Sequence, residues 1–308
     1  MHYDKKNRLA DNGLHESGYH WLEETYIALR VGNYGKGTIK NYLNELRLLF
    51  HYYYEKDVGE ITQKDINEYI IFIKTAHGVG YAKCRSVAHA CAFFYKKVID
   101  MPYILPKTLY PRKQFILPKV MSRAEVQRLF QANREPFTRS VISLLYGSGL
   151  RIGEVKSLKL VDIKSAEKVL HISQSKGNKD RRTLLSEKQI QELRAYWHSL
   201  RVKPKIYLYE STQTRKPYHE RSLQLVVTQA MKRAGLEDKG YTSHTLRHSF
   251  ATHMLDKGVD IHAIKELLGH SDMRTTLIYL HLTECKRKVL PSPLDDLEDE
   301  AAATEFIS

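Results

Sequence analysis

A proline-rich stretch interrupts the chain. Four prolines punctuate segment 102–118, at Pro102, Pro106, Pro111 and Pro118. Because proline lacks a backbone N–H and disfavours the helical conformation in the residue before it, this spacing excludes a continuous helix. We therefore expect an extended linker at 102–118 that joins two domains, at 16–101 and 119–290.

The first domain has the pattern of a helical bundle. Apolar residues recur at i, i+3, i+4 and i+7 in four stretches between Glu16 and Met101, which predicts amphipathic helices. Thr38 is placed to cap the second helix. Thr62, with Asp65 three residues later, resembles a capping box and predicts the start of the third.

The second domain combines helical and extended patterns. Ser122 followed by Glu125 predicts its first helix, and Arg151 lies where one helix ends at GSG and the next begins. Three short strands are predicted, in the order LVDI, KVLHIS and RRTLLS. The expected fold class is mainly α, with a small antiparallel β-sheet in this domain.

The net charge indicates a polyanionic partner. Lysine and arginine number 49 against 35 acidic residues, which gives a formal charge of +14 and a sequence pI near 9.4. The acidic tail at 291–308, which we expect to be disordered, holds six acidic residues and no basic one. A body this basic is typical of nucleic-acid-binding proteins, although surplus lysine also serves solubility.

The cysteine spacing and the hydropathy of the chain argue against a metal-binding, secreted or membrane protein. The three cysteines, Cys84, Cys91 and Cys285, have no metal-binding spacing and suit a reducing cytoplasm. No long apolar run predicts a membrane span, and no signal peptide is recognised. Residues 1–15 are polar and charged, so we expect them to be flexible.

Three cations form the first half of a candidate phosphodiester site. Arg151 and Arg247 suit the non-bridging oxygens, because a guanidinium stays charged and grips two oxygens at once. Lys176, on the predicted turn in SKGNKD, can protonate the leaving oxygen. Lys179, Arg181 and Arg182 compete with Lys176 for that role; they could instead bind phosphates or solvate a strand.

A tyrosine and two histidines form the second half. Tyr279 is the candidate nucleophile, selected among 20 tyrosines by its position nine residues after His270. Only about one phenol in a thousand is ionised at pH 7, a deficit of roughly 4 kcal/mol, so the tyrosine needs a proton acceptor or nearby positive charge. His244 and His270 are the candidates. His248 is interpreted as packing or capping within its helix.

The neighbouring histidines and Glu154 have other interpretations. A zinc site at His244 and His248 lacks the glutamate of H-E-x-x-H and a clear third ligand. His253 and His281 are interpreted as structural. Glu154, one turn after Arg151, either braces the site or is a surface charge.

These residues, in this order, resemble the catalytic set of the tyrosine recombinase (phage integrase) family: Arg, Lys, His-x-x-Arg, His or Trp, and Tyr. The length is similar to short Xer-like or mobile-element members. The resemblance implies a two-domain, C-shaped DNA clamp in which 16–101 is a helical, SAM-like core-binding domain. Candidate DNA contacts are Thr38, Lys40, Asn41, Lys83, Arg85, Lys179 and Arg181.

The resemblance also implies an activity. Such an enzyme cleaves and rejoins double-stranded DNA at paired sites through a 3′-phosphotyrosine and a Holliday junction, without ATP, metal or other cofactor. It would be a homotetramer on DNA and a monomer when free, located in the cytoplasm with the nucleoid, and an accessory protein is an open question. The segment after Tyr279 would dock on a neighbouring subunit. A type IB topoisomerase and a non-cleaving DNA-binding protein of the same fold are the alternatives.

Overall fold

The computed structural model describes residues 13–112, 117–173, 180–270 and 272–282. The chain divides into two compact units, Met1–Phe115 and Ile116–Ser308. The tail 291–308 and most of the segment 1–15 lie outside the described residues, so the predictions made for them stay predictions. Within the described residues, no helix is both long and apolar enough to cross a membrane.

In the part of the first unit that the structure describes, four helices form the fold. They are α1 (Glu16–Val31), α2 (Lys36–Tyr52), α3 (Gln63–Ala76) and α4 (Tyr81–Phe94), with a π-helical turn at Tyr95–Ile99 and 3-10 turns at Val58–Glu60 and Lys107–Leu109. Their apolar faces meet in one core that contains Leu22, Leu46, Ile70 and Phe94, all fully buried. This is the packing that the periodicity predicted.

The helix starts in this unit were only partly predicted. Thr62 and Asp65 form the expected capping box, in which each side chain bonds to the backbone N–H of the other residue. The cap assigned to Thr38 is wrong. Helix α2 begins at Lys36 after Gly35, and Thr38 lies within its first turn. A glycine supplies the extended cap conformation here without any side-chain hydrogen bond.

Among its described residues, the second unit contains eight helices and one sheet. In chain order they are α5 (Arg123–Ala132), α6 (Pro136–Gly147), α7 (Ile152–Ser157), β1 (Ile163–Lys164), β2 (Val169–Ile172), β3 (Arg181–Leu184), α8 (Glu187–Ser199), α9 (Glu220–Arg233), α10 (Ser243–Asp256), α11 (Ile261–Leu268) and α12 (Arg274–Leu277). Short 3-10 turns lie at Leu160–Asp162, Glu237–Lys239 and Ile278–His281. The mainly helical fold class is confirmed.

The sheet is antiparallel in the order β1-β2-β3, as predicted, but its first strand is shorter than expected. Most of LVDI forms the 3-10 turn, which leaves two residues for β1. Ile172 pairs with Arg181 across β2 and β3. Strand β3 therefore delivers Arg181 directly to the end of α11, where its guanidinium donates to the carbonyl of Leu267.

Two apolar clusters hold the second unit. The larger includes Leu145, Leu193 and Val227 from α6, α8 and α9. The smaller joins α10 and α11 to the last 3-10 turn, and its members include Phe250, Leu268 and Tyr279. Because a tyrosine belongs to this smaller core, the C-terminal turn is fixed against the same helices that carry the histidines and Arg247.

Candidate active site

Arg151 is fixed at the start of α7. It occupies the N-cap position, and its backbone N–H donates to Oε2 of Glu154 at 2.8 Å. The preceding turn requires Gly149, whose φ is +62° and where a Cβ would lie 2.5 Å from the Phe250 ring. The turn thus packs directly on α10. The Arg151 guanidinium, partly exposed, donates through Nη1 to Oε1 of Glu154 at 2.9 Å.

Glu154 is shared by three arginines. Arg181 donates to its two oxygens at 2.7 and 2.8 Å, Arg151 holds one of them, and Nη1 of Arg247 lies 3.7 Å from Oε2. Although burial alone would raise it, the hydrogen bonds and charge of Arg181 and its neighbours lower the pKa of Glu154 to about 2. The carboxylate therefore stays ionised and braces the cluster.

Arg247 is anchored by backbone carbonyls. Its side chain is buried, and it donates to the carbonyls of Gly149 and Leu268, both at 2.6 Å. Burial, then the positive charge of Arg151, lowers its pKa to about 9, so it remains cationic at neutral pH. The three arginines and Glu154 together hold three positive charges against one negative charge. This surplus of positive charge suits a phosphodiester, which gains negative charge during attack.

Tyr279 lies against this cluster. Its side chain is 2 % exposed, and its hydroxyl lies 2.9 Å from Nδ1 of His248. Burial raises the pKa of the Tyr279 phenol, while the charges of Arg247 and Arg151 act in the opposite direction. The phenol is therefore protonated at neutral pH in the DNA-free protein.

His270 follows Gly269, whose left-handed conformation ends α11. Its ring lies parallel to that of Tyr279, with centroids 6.2 Å apart. Its Nδ1 lies 2.9 Å from the hydroxyl of Thr276, which is fully buried. Burial, followed by the charges of Arg247, Arg151 and Arg181, lowers the pKa of His270 to about 3, which keeps the ring neutral.

His244 occupies the exposed first turn of α10. Its ring lies 6.4 Å from that of His248, one helical turn further along. Lys176 and Lys179 lie outside the described residues, so their assignments stay predictions. The structure thus gathers Arg151, Arg247, His270 and Tyr279 in one cluster, with His244 at its edge.

The structure does not support the interpretation of Arg181 as a DNA contact. Its side chain is 7 % exposed, and its guanidinium is engaged by Glu154 and the Leu267 carbonyl. Three of its five N–H donors are thus engaged inside the protein, and its burial keeps the guanidinium away from the surface. Arg182, the next residue on β3, is exposed instead.

Two residues of the site were missed from the sequence. His248 was interpreted as a packing or capping residue, but it contacts the Tyr279 hydroxyl. Thr276 was not singled out, yet it holds His270. The spacing of His244 and His248, one turn apart, was a usable signal, since it places both on one face of α10. Within the described residues, no cluster of three metal-ligating side chains occurs.

The candidate DNA contacts of the first unit lie on α2 and α4. Lys40, Asn41 and Arg85 are exposed. The Asn41 amide donates to the hydroxyl of Ser86, which ties α2 to α4. Lys83 pairs with Glu45, which is 3 % exposed, so this lysine neutralises a buried carboxylate.

Comparison with known proteins agrees with this geometry. Residues 119–285 match the phage integrase family, and residues 21–105 match the phage integrase N-terminal SAM-like domain. The chain is 33 % identical over 270 residues to a tyrosine recombinase of Thermosipho africanus, covering 84 % of this chain and 93 % of that protein. It is 30 % identical over 264 residues to tyrosine recombinase XerA of Pyrococcus horikoshii, and the match covers 85 % of this chain and 89 % of that protein.

Solved structures share the fold. The XerH site-specific recombinase bound to palindromic difH superposes with a TM-score of 0.66 at 22 % identity, covering 96 % of this chain and 91 % of that one. A lambda integrase tetramer bound to a Holliday junction superposes with a TM-score of 0.66 at 16 % identity. The match covers 85 % of this chain and 76 % of that one. Because both domains of the family and a relative along most of the chain match, this chain belongs to the phage integrase family of tyrosine recombinases.

Proposed function

We propose that this protein is a site-specific DNA recombinase that cleaves and rejoins DNA through a covalent bond to Tyr279. One observation carries the proposal. Arg151 and Arg247 come from separate elements of the second unit and meet at one buried carboxylate, Glu154. His270 and Tyr279, from two further elements, lie ring to ring and close enough to both arginines for their charges to shift the pKa of each. A structural role for each residue alone would not require this convergence.

Each group has a chemical role in the proposed reaction. Arg151 and Arg247 bind the non-bridging oxygens of the scissile phosphate, and His270 adds a further hydrogen bond. The phenol oxygen of Tyr279 bonds to phosphorus as the bond from phosphorus to the 5′ oxygen of the leaving strand breaks. Lys176 is the candidate proton donor for that oxygen. The products are a 3′-phosphotyrosine and a free hydroxyl.

The reaction conserves its bond energy. One phosphodiester replaces another, so rejoining requires no ATP. The roles above use arginine, histidine, lysine and tyrosine alone, and we propose that the enzyme needs no metal ion. Reversal of the same steps on an exchanged strand completes the recombination.

The DNA partner follows from charge and from the relatives. The surplus of lysine and arginine supports binding to the phosphate backbone, with an affinity that falls steeply as salt rises. Among proteins of this fold, one structure is described as a tetramer on a Holliday junction. We propose that this protein is likewise a homotetramer on paired DNA sites and a monomer when free.

The first unit is the proposed core-binding domain, with 16–101 as its limits and 102–118 as the linker to the catalytic domain at 119–290. Lys40, Asn41 and Arg85, exposed on α2 and α4, are its strongest candidates for DNA contacts. Thr38 and Lys83 are weaker candidates, since Thr38 is half-buried in a helical turn and Lys83 is paired with Glu45.

A type IB topoisomerase and a non-cleaving binder are not favoured. Curated relatives across most of the chain carry the names recombinase or integrase. An intact cluster around Glu154, with Tyr279 and His270 in place, is more than DNA binding alone requires.

Covalent trapping tests the proposal. Wild type and Tyr279→Phe are incubated with a randomised library of nicked duplexes, denatured, and the DNA attached to protein is sequenced. Tyr146→Phe is the matched control, because Tyr146 also bonds to a histidine of α10 but lies outside the cluster. Recurrent sequences attached to wild type and the control, but not to Tyr279→Phe, support the proposal. Adducts without sequence preference indicate a topoisomerase, and salt-sensitive binding without any adduct contradicts cleavage.

A further inference from the structure

Tyr279, the proposed nucleophile, must give its phenolic proton to another group. A buried phenol must lose its proton as it attacks, and the cost of ionising it first is roughly 4 kcal/mol at pH 7 even in water. Arg151 and Arg247 lower that cost through their charge, but neither can accept a proton. A general base would lie within hydrogen-bonding reach of the Tyr279 oxygen, directly or through one water.

The geometry distinguishes the three histidines of the site. His270 faces Tyr279 ring to ring, and its Nδ1 is held by Thr276. His244 lies beyond His248, at the exposed end of α10. His248 contacts the reacting atom itself, with Nδ1 at 2.9 Å from the Tyr279 oxygen.

We propose that His248 is a catalytic residue, the general base that accepts the proton of Tyr279. This inference rests on the proposed function. During cleavage the phenolic O–H bond breaks, its proton moves to Nδ1 of His248, and the oxygen forms the bond to phosphorus. The leaving 5′ oxygen takes a separate proton from the acid, for which Lys176 is the candidate. Rejoining returns the first proton from His248 to Tyr279, so the cycle consumes none.

The surroundings of His248 keep its ring neutral in the DNA-free protein. It faces His244 and Arg247 from its own helix, Tyr279 from the last 3-10 turn, and His270 from the end of α11. Burial, then His244 and Arg247, lowers the pKa of His248 to about 4. The ring is therefore unprotonated at pH 7 and holds the proton only while negative charge develops on the phosphate bound beside it.

Two substitutions separate this role from a packing role. His248→Asn places an amide where Nδ1 was, which preserves a hydrogen-bond acceptor of similar reach but removes the base. His248→Phe preserves the ring and removes the acceptor. The control is His253→Asn, because His253 lies on the same helix and its Nδ1 contacts a tyrosine hydroxyl at the same distance, 2.9 Å from Tyr146. Thermal unfolding and duplex affinity are measured for each variant.

The decisive readout is the rate of covalent adduct formation in a single turnover, between pH 6 and pH 9.5. The substrate is a nicked duplex carrying the sequence recovered by trapping. We expect both His248 variants to be slower at pH 7, by about 10²- to 10⁴-fold. Without a base only the ionised phenol reacts, so the ratio of wild-type to variant rate should fall about tenfold for each pH unit. His253→Asn should follow wild type throughout.

Other results overturn the inference. A rate ratio that does not change with pH assigns His248 to positioning or packing. Equal or faster cleavage by the variants shows that His248 restrains Tyr279 instead of activating it. If wild type forms no adduct while it binds DNA, the proposed function itself fails. If wild type forms adducts and His248→Asn matches it, only the role of His248 fails.

Discussion

Arg181 and Glu154 bind each other through two parallel hydrogen bonds, with Nη1 and Nη2 at 2.7 and 2.8 Å from the two carboxylate oxygens. Arg181 comes from β3, immediately after the predicted lysine turn, and its Nε also donates to the carbonyl of Leu267. It thus connects the sheet to the carboxylate that braces Arg151 and Arg247. Its part in the site is structural support.

Removing the Arg181 guanidinium should destabilise the second unit. Arg181→Met retains the aliphatic stem but leaves Glu154 without its bidentate partner. Loss of one member of a buried ion pair typically costs about 3–5 kcal/mol. Arg182→Met, at the exposed neighbouring position, should stay within about 0.5 kcal/mol of wild type. Urea unfolding measures both, and equal stability of the two variants would show that the pair contributes nothing.

Glu154 should make stability depend on acid pH. Its pKa is lowered from 4.5 to about 2 in the folded protein. A carboxyl with a depressed folded pKa stabilises fully above its unfolded pKa, and this contribution is lost as pH falls from about 4.5 towards 2. The difference in unfolding free energy between wild type and Glu154→Gln should therefore be constant near pH 7 and shrink below pH 4.5. A difference that grows on acidification would contradict the assignment.

Thr276 should hold His270 in its working orientation. Thr276→Val has nearly the same shape but lacks the hydroxyl that contacts Nδ1 of His270. We expect a stability loss of about 1 kcal/mol and a slower formation of the covalent adduct, which Thr276→Ser should largely restore. Thr275→Val is the control, because that exposed hydroxyl bonds to the Asp272 carbonyl instead. Single-turnover cleavage at fixed pH gives the comparison, and equal rates for Val and Ser would exclude a role for the hydroxyl.

Lys40 and Lys83 should behave differently in the first unit. Lys40→Met, at an exposed site on α2, should weaken DNA binding and reduce the slope of log affinity against log salt by about one. Lys83→Met leaves the buried Glu45 without its cation, so it should lower stability by about 1–3 kcal/mol. Salt titrations of duplex binding and urea unfolding separate the effects. If Lys40→Met changes stability but not the salt slope, Lys40 is not a phosphate contact.

Local patterns determined much of the architecture. The helices of the first unit follow from apolar spacing, and the Thr62 capping box follows from two residues three positions apart, because helix periodicity and capping depend on near neighbours. The cap at Thr38 was wrong because Gly35, three positions earlier, occupies the N-cap and leaves Thr38 inside the first turn. The strand at LVDI was too long because a 3-10 turn tolerates the same apolar residues.

The sequence by itself also singled out the candidate residues for the chemistry, since arginine, lysine, histidine and tyrosine in that order suit a phosphodiester. Only the tertiary structure decided how they are connected. The contact of His248 with Tyr279 joins positions 31 residues apart, and the pairing of Arg181 with Glu154 joins positions 27 apart. Such contacts depend on how α7, β3, α10 and the last 3-10 turn pack together. No local pattern encodes that packing, so the sequence did not reveal that His248 contacts Tyr279 or that Arg181 pairs with Glu154.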